Sequence, residues 1–168
     1  MDITLIISGG ILIGCCLALS WFAGSDAPYV PTKMENIRKI LKLAGVKKGK
    51  KFYELGSGDG RVVIAAARLG ANAVGIEQSL IRVLYSKWKS GQNNAIAGNC
   101  QLYHGNIFDR SYSDANIVYI FLLHKGVTKL EEKLKKELKK GSIVITQTYH
   151  FDNWKPFKKE GDFWIYRN

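Results

Sequence analysis

Three glycines alternate with other small or polar residues in the run Glu54-Leu55-Gly56-Ser57-Gly58-Asp59-Gly60. Glycine lets the backbone turn sharply and lets a ligand come close to the main chain. The run follows a short apolar segment and precedes a helical pattern, so it lies where a strand ends and a helix offers its free N–H groups. This position predicts a ligand-binding loop in which Asp59 orients the backbone and Glu54 closes the strand.

The spacing of the glycines separates this loop from two common nucleotide-binding motifs. A dinucleotide-binding fingerprint, Gly-x-Gly-x-x-Gly, would need a glycine at position 61, where the chain has Arg61. A Walker A loop requires Gly-Lys-Ser or Gly-Lys-Thr, which does not occur here. Neither a dinucleotide nor a nucleoside triphosphate is therefore the expected ligand.

Polar residues also follow the next two predicted strands. Glu77 closes the second strand, where a carboxylate can accept hydrogen bonds from both hydroxyls of an adenosine ribose. Asn106 follows the third strand, where its amide offers a donor and an acceptor to the edge of adenine. Because the carboxyl ends of parallel strands meet at one edge of a sheet, these features predict a nucleoside site. The alternative is a structural turn with Glu77 as a solvated surface carboxylate.

The elements that position these residues follow an alternating pattern. Short apolar runs alternate with helical patterns, which predicts an α/β fold with a mostly parallel, twisted sheet. A first helix is expected to begin with a capping box formed by Thr32 and Glu35 and to end at Gly45. An antiparallel C-terminal hairpin is expected from the runs 151–157 and 162–166. The other predicted strands are 51–55, 72–77, 100–104, 116–122 and 142–148, and the other predicted helices are 60–69, 79–94 and 128–139.

Six segments of the chain are typical of one family: Pro28-Tyr29-Val30-Pro31-Thr32, Glu54 to Arg61, Gly105 to Phe108, Ile120 to Leu123, Lys133 to Gly141 and Trp154-Lys155-Pro156. In these segments the chain resembles the class I, or seven-β-strand, protein lysine N-methyltransferases that modify the mitochondrial ATP synthase c subunit and the adenine nucleotide translocase, together with their small archaeal relatives of broad protein specificity. The resemblance covers about Ala27 to the C-terminus. It implies a Rossmann-like domain that binds S-adenosylmethionine and transfers its methyl group to a lysine ε-amine.

This resemblance also assigns roles to individual residues. Removing the proton from a lysine side chain at pH 7 costs roughly 4 to 5 kcal/mol. An apolar channel beside the sulfonium would favour the neutral amine, so positioning of that amine can replace a general base. Tyr29, Phe121 and Trp154 are the candidate channel residues, with ordinary packing as the alternative for Phe121 and Trp154. Glu54 stands where aspartate is common. The implied cofactor-binding residues are Tyr29, Thr32, Glu54, Gly56, Ser57, Gly58, Asp59, Gly60, Glu77 and Asn106.

The N-terminus is predicted to be a transmembrane anchor over 1–23, joined by a linker over 24–31 to a catalytic domain over 32–168. Ile3 to Ala23 carries no charge, and as a helix of about 31 Å it matches a hydrocarbon core of about 30 Å. Basic residues between Lys33 and Lys39 indicate a single-pass protein with its catalytic domain on the cytoplasmic side. A cleaved signal peptide or lipoprotein is one alternative, although no Lys or Arg precedes the apolar stretch, and a buried helix of a soluble protein is the other.

Composition limits the partners. The net charge of +11 favours anionic lipid, nucleic acid or an acidic protein face. The fourth predicted strand lacks the Asn/Asp-Pro-Pro-Tyr run of exocyclic-amine DNA methyltransferases, so a nucleic-acid substrate is disfavoured.

The amphipathic run Lys125 to Lys140 is either a solvated helix face or a contact with anionic lipid. No His, Cys or carboxylate cluster has metal-ligand spacing, so no metal is predicted. Gly10 and Gly14 hint at a homodimer.

Three functions are compatible with these features. The first is a membrane-anchored methyltransferase acting on a protein with an accessible lysine, membrane proteins included. The second is a methyltransferase acting on a lipid amine or another small lipophilic molecule. The third is a non-catalytic nucleoside-binding or scaffold protein attached to the membrane.

Overall fold

A single seven-stranded sheet organises the chain in the computed structural model, which describes residues 3–23, 29–92, 96 and 99–168. The helices are α1 Ile3–Ala23, α2 Met34–Leu43, α3 Arg61–Arg68, α4 Leu80–Gly91 and α5 His124–Glu137. The strands are β1 Lys51–Leu55, β2 Asn72–Glu77, β3 Cys100–His104, β4 Ile117–Ile120, β5 Ile143–Gln147, β6 Lys158–Glu160 and β7 Phe163–Arg167.

The strand order is β3-β2-β1-β4-β5-β7-β6. Strands β1 to β5 run parallel, whereas β7 is antiparallel to both β5 and β6. This confirms the predicted α/β class with a C-terminal antiparallel hairpin. The order reverses between β1 and β4, and such a reversal opens a ligand-binding crevice at the carboxyl ends of the strands.

The core is divided between the two faces of the sheet. Right-handed crossovers place α3 and α4 on one face and α5 on the other, because the two halves of the sheet are wound in opposite directions. One buried cluster accordingly includes residues of α2 and α3, such as Ile40 and Val63. The other includes Val127, Leu130 and Leu134 of α5. Both clusters support the strands that end at the crevice.

The hairpin is formed by different residues from those predicted. Its first strand is Lys158–Glu160, and the prediction of a strand over 151–157 was wrong. Buried Glu131 of α5 accepts backbone N–H bonds from Asp152 and Asn153, each at 3.0 Å, so these donors are unavailable for a sheet. The segment is therefore a loop held against α5 rather than a strand.

The ends of two other elements also differ clearly from the prediction. Strand β4 stops at Ile120 because its partner β1 stops at Leu55, the register partner of Ile120, and turns into the glycine loop. Helix α5 consequently begins at His124, four residues before the predicted start. Helix α4 is described to Gly91, and the predicted end at residue 94 lies outside the described residues.

The predicted capping box of α2 was wrong, although its end was correct. The N-cap is Lys33, without a side-chain capping bond. The hydroxyl of Thr32 instead lies 3.3 Å from the Tyr119 hydroxyl, because this segment crosses the crevice. Gly45, at φ +65°, ends the helix in the left-handed conformation that the sequence predicted.

Helix α1 coincides with the predicted membrane span. It is the one helix in the described residues that is long and apolar enough to cross a membrane, a property that signal sequences share. Its large apolar side chains from Ile3 to Leu19 are exposed. Most of the predicted linker, residues 24–28, lies outside the described residues, and the division of the chain into anchor, linker and domain stays a prediction.

Candidate cofactor site

The glycine loop has a backbone that other residues would not easily adopt. Gly56, Gly58 and Gly60 have φ values of +82°, +53° and +73°, in the left-handed region. A Cβ would also lie 2.8 Å from a neighbouring side chain at each position: Leu122 at Gly56, Tyr29 at Gly58 and Ser86 at Gly60. The loop therefore needs glycine for conformation and for space, and its neighbours come from three other segments.

Glu54 lies beneath the loop rather than at its surface. Its side chain is buried at the end of β1, and its Oε2 accepts the N–H of Val63 in the first turn of α3 at 3.2 Å. Burial raises the pKa of Glu54 well above its usual value, and the nearby charges of Asp59 and Glu77 act in the same direction. Glu54 thus supports the start of α3.

Glu77 is buried at 5% exposure, which rules out the alternative of a solvated surface carboxylate. Its Oε2 accepts the N–H of Gly58 at 2.9 Å. Its Oε1 accepts three donors: Ser79 N–H at 2.8 Å, Arg82 Nε at 3.1 Å and Arg82 Nη2 at 2.9 Å. Because a carboxylate oxygen has two lone pairs, only Oε2 has capacity left, for one further hydrogen bond. These donors fix the orientation of the Glu77 carboxylate, and its binding of the ribose hydroxyls stays a prediction.

Asp59 is paired with two cations. Arg61 donates to its two oxygens from Nε and Nη2, each at 2.9 Å, and Lys89 Nζ lies 3.2 Å from Oδ2. Burial raises the pKa of Asp59, but Arg61 and Lys89 outweigh it and hold the pKa below its usual value. Arg61 also donates to the carbonyl of Thr32 at 3.2 Å. Arg61 therefore joins the glycine loop to the segment before α2.

Residues 29–32, which we call the strap, cross the crevice. The Tyr29 ring packs on Gly58 and lies 5.3 Å from the Arg82 guanidinium. Buried Thr32 is near Tyr119, which donates to Gln147 Oε1 at 2.7 Å. Burial raises the pKa of the Tyr119 phenol, so it remains a hydroxyl donor. The strap is thus tied to the loop, to β4 and to β5.

The remaining predicted site residues have different surroundings. Asn106 is exposed after β3, and its Oδ1 accepts the Phe108 N–H at 3.0 Å, leaving its amide N–H groups on the sheet's carboxyl edge. Phe121 follows β4 and packs partly against the cluster below α2 and α3. Trp154 packs against the aromatic rings of Phe151 and Tyr166 at 5.3 and 5.4 Å, beside α5. Of the three channel candidates, Tyr29 packs on Gly58 of the loop.

Several residues at this site were not recognised from the sequence. Arg82 and Lys89 project from α4, while Tyr119 and Gln147 lie at the ends of β4 and β5. Their importance depends on contacts across long stretches of sequence. A partial signal existed for Arg61, because an arginine two residues after a loop aspartate can pair with it on both oxygens.

A family model described as the ANTKMT methyltransferase domain matches residues 54–158, which include the loop, Glu77 and the ends of β3 to β5. The chain belongs to this family. It is an S-adenosylmethionine-dependent methyltransferase, as the resemblance implied, and not a mere nucleoside-binding protein.

Named relatives of this methyltransferase act on lysine. It is 35% identical over 131 residues to a protein-lysine N-methyltransferase of Saccharolobus islandicus (strain REY15A), covering 77% of this chain and 81% of the relative. It is 32% identical over 135 residues to the human lysine N-methyltransferase named for the ATP synthase c subunit; that match spans 80% of this chain and 57% of the relative. It is 30% identical over 139 residues to the mouse adenine nucleotide translocase lysine N-methyltransferase, and that match covers 82% of this chain and 59% of the relative. The chain spans little more than half of each mammalian relative.

Solved structures share the fold and contain the cofactor product. A crystal structure of an RNA methyltransferase from Salinibacter ruber with S-adenosyl-L-homocysteine has a TM-score of 0.77 and 33% identity, covering 82% of this chain and 93% of that one. A methyltransferase from Geobacter sulfurreducens, also with S-adenosyl-L-homocysteine, has a TM-score of 0.64 at 20% identity, covering 78% and 54%. The second likeness concerns the fold alone.

The residues at the crevice fit S-adenosylmethionine. The glycine loop brings the backbone from Gly56 to Gly60 to the crevice, and the N–H of Gly58 in this loop is bonded to Glu77 Oε2. The buried hydroxyl of Ser79, two residues beyond Glu77, has no hydrogen-bond partner among the described residues. No group of three or more His, Cys, Asp or Glu side chains in the described residues could hold a metal ion.

Proposed function

We propose that this methyltransferase modifies the ε-amine of lysine in a protein substrate and that α1 anchors it in a membrane. The observation that carries the lysine assignment is the 35% identity to an archaeal protein-lysine N-methyltransferase, which extends over most of both chains. The mammalian relatives named for the ATP synthase c subunit and the adenine nucleotide translocase support the same chemistry.

The proposed cofactor contacts follow from the hydrogen-bond donors and acceptors that each group has left for a ligand. The loop from Gly56 to Gly60, with Ser57 and Asp59, would cradle the cofactor, and Glu77 Oε2 would accept one ribose hydroxyl. Asn106 would use its amide N–H groups on adenine, since its oxygen is engaged by Phe108. Tyr29 and Thr32 would cover the site as parts of the strap. When bound, S-adenosylmethionine supplies the electrophilic methyl group.

The proposed catalysis depends on positioning and exclusion of water. All three buried carboxylates at the crevice have partners: Glu54 is bonded to α3, Asp59 to Arg61 and Lys89, and Glu77 to Arg82. They are poorly placed to take a proton from lysine. A neutral amine is instead favoured by apolar surroundings, which Tyr29 and Phe121 would provide. Trp154 is a weaker channel candidate because it packs beside α5.

The proposed location combines α1 with the basic residues that follow it. A helix of this length and composition can span a bilayer, and the positive flank would hold the catalytic domain on the cytoplasmic side. A substrate in or near the membrane fits that location. A homodimer through Gly10 and Gly14 would be compatible with it, since both glycines are free of close neighbours on α1 among the described residues.

The deciding experiment is a labelling assay of the full chain. The purified protein in vesicles is incubated with methyl-labelled S-adenosylmethionine and a membrane extract, and we expect label in protein, at methyllysine after acid hydrolysis. Glu77→Ala should abolish labelling, whereas Glu132→Ala, an exposed carboxylate on α5, should not change it. Chloroform-extractable label alone would establish a lipid amine as the substrate. Label sensitive to ribonuclease would indicate RNA, in line with the Salinibacter ruber relative, and either result would overturn the lysine assignment.

A further inference from the structure

Helix α4 has its polar and apolar sides reversed. Its buried side chains include Arg82 and Ser86, whereas Leu80, Leu84 and Trp88 are 53%, 57% and 61% exposed. These three residues are four apart and therefore form one stripe along the helix. A helix on the surface of a sheet normally buries such a stripe and exposes its charges.

The cofactor site explains the polar inner side. Arg82 is needed inside because it pairs with Glu77 through two nitrogens. Ser86 is small enough to lie beside Gly60, where a Cβ would be 2.8 Å from it. Neither contact requires an apolar outer side. In the described part of the chain, nothing buries the stripe, so its composition needs a separate cause.

The surroundings of the stripe match the boundary of a bilayer. Tyr85 lies next to it, 39% exposed, with its ring 5.8 Å from that of Trp88. Exposed Lys87 borders the stripe on one side, and Lys89, whose ammonium pairs with Asp59, borders it on the other. Leucine and tryptophan on one face with lysine at its margins is the pattern of helices that lie in the membrane interface. The net charge of +11 favours an anionic surface.

Helix α4 also lies beside the candidate membrane span. Cα atoms of α1 and α4 approach within 8 Å of each other. The apolar side chains of α1, such as Leu12 and Leu17, are exposed like those of the stripe. The helix that carries the stripe therefore adjoins an apolar helix of membrane-spanning length, and one bilayer can cover both.

We propose that the outer face of α4, formed by Leu80, Leu84, Tyr85 and Trp88, lies in the headgroup region of an anionic membrane. This proposal rests on the proposed membrane location and adds an orientation to it. Leu80 follows Glu77 by three residues at the carboxyl edge of the sheet, so the cofactor site is held about 10 Å, one helix diameter, from the lipid. The basic helix α5, on the opposite face of the sheet, is turned towards water.

The test uses the full chain with one reporter cysteine at a time. Cys15, Cys16 and Cys100 are replaced by serine, and an environment-sensitive fluorophore is attached after Leu84→Cys on α4, Lys136→Cys on α5 or Leu12→Cys on α1. In vesicles of phosphatidylcholine and phosphatidylglycerol, we expect a blue-shifted emission, increased severalfold, at positions 84 and 12. Position 136 should keep the emission of a label in water.

The reporters separate failure of this proposal from failure of the membrane location. A label at 84 that stays in water while the label at 12 is in lipid overturns the α4 orientation alone. Both labels in water overturn the membrane location as well, and the lysine assignment is tested separately by the labelling assay. A blue-shifted label at 84 that lipid carrying a quencher does not quench shows a protein contact instead of a lipid contact and also overturns the proposal. Quenching of tryptophan fluorescence by brominated lipid that is reduced in Trp88→Phe supports it, with the remaining quenching expected from Trp21 of α1.

Discussion

Gly58 is the residue at which backbone conformation and crowding coincide. Gly58→Ala is expected to cost about 1 kcal/mol of folding stability for its positive φ, and Gly45→Ala, at a similar φ in open space, should cost as much. Only Gly58→Ala pushes a Cβ against Tyr29, so only this variant should weaken S-adenosylhomocysteine binding, by about tenfold. Urea unfolding and titration calorimetry measure the two effects. Equal affinities for both variants would mean that the strap does not cover the cofactor.

The Glu77–Arg82 pair has a structural role and a proposed binding role, and a double-mutant cycle separates them. Glu77→Gln leaves the Arg82 guanidinium buried beside a neutral partner and should lower the unfolding free energy by about 3 to 5 kcal/mol. Adding Arg82→Met removes that buried charge and should restore most of the stability. Cofactor affinity should stay low in the double variant. If both the stability and the cofactor affinity recovered in the double variant, Glu77 would have a structural role alone.

Glu54 makes stability depend on pH because its pKa is raised in the folded protein. A carboxyl group of this kind stabilises the folded protein fully at pH values below its unfolded pKa of about 4.3. This stabilisation is lost as the pH rises through the pKa of the folded state. Glu54→Gln keeps an oxygen for the Val63 N–H and removes this loss. It should stabilise the protein at pH 8, and less so at pH 5.

Exposed Glu132 provides the control for that pH series. Glu132→Gln should leave the difference between the two pH values unchanged, since no burial opposes its charge. Thermal unfolding at both pH values measures the effect. A Glu54→Gln variant that is less stable than the parent at pH 8 would contradict the assignment of a costly buried carboxylate.

At the scale of elements, the strap is joined to the glycine loop through one side chain. Arg61 pairs with Asp59 and donates to the Thr32 carbonyl, so Arg61→Met should release the strap from the loop. We expect S-adenosylhomocysteine affinity to fall by about tenfold, which corresponds to about 1.4 kcal/mol. Arg68→Met, an exposed change at the other end of α3, should leave the affinity unchanged. Calorimetry would contradict this view if both variants bound alike.

Elements with strong patterns could be predicted from sequence alone. The bounds of β1 and β2 agree with their apolar runs, because buried parallel strands have few alternatives for such segments, and those of the edge strand β3 agree as well. The segment 151–157 was misassigned because Glu131, about 20 residues earlier, takes its backbone donors. Thr32 was misassigned because Tyr119, 87 residues away, offers its hydroxyl a better-placed partner than the helix start. Both errors arise from long-range contacts that a local pattern does not contain.

At the scale of the whole molecule, cofactor binding should stabilise the fold, since β1, β2, β3 and the strap meet at one site. S-adenosylhomocysteine at about 100 times its dissociation constant should add about 2.7 kcal/mol to the unfolding free energy. For a chain of 168 residues this raises the unfolding midpoint by about 5 to 10 °C. NAD and ATP at the same concentration should cause no shift, because the chain lacks both of their binding motifs. A shift with NAD but not with S-adenosylhomocysteine would contradict the assigned cofactor.

Sequence by itself determined the class of fold, the cofactor loop and an apolar segment of membrane-spanning length. Each depends on local spacing: the strand and helix periods, glycines two apart and an uncharged stretch from Ile3 to Ala23. Only the tertiary structure decided that Glu77 has one acceptor position left, that Arg61 ties the strap to the loop and that α4 turns Leu84 and Trp88 outwards. The physical reason is that charge pairing and burial are set by which distant segments meet at the carboxyl edge of the sheet.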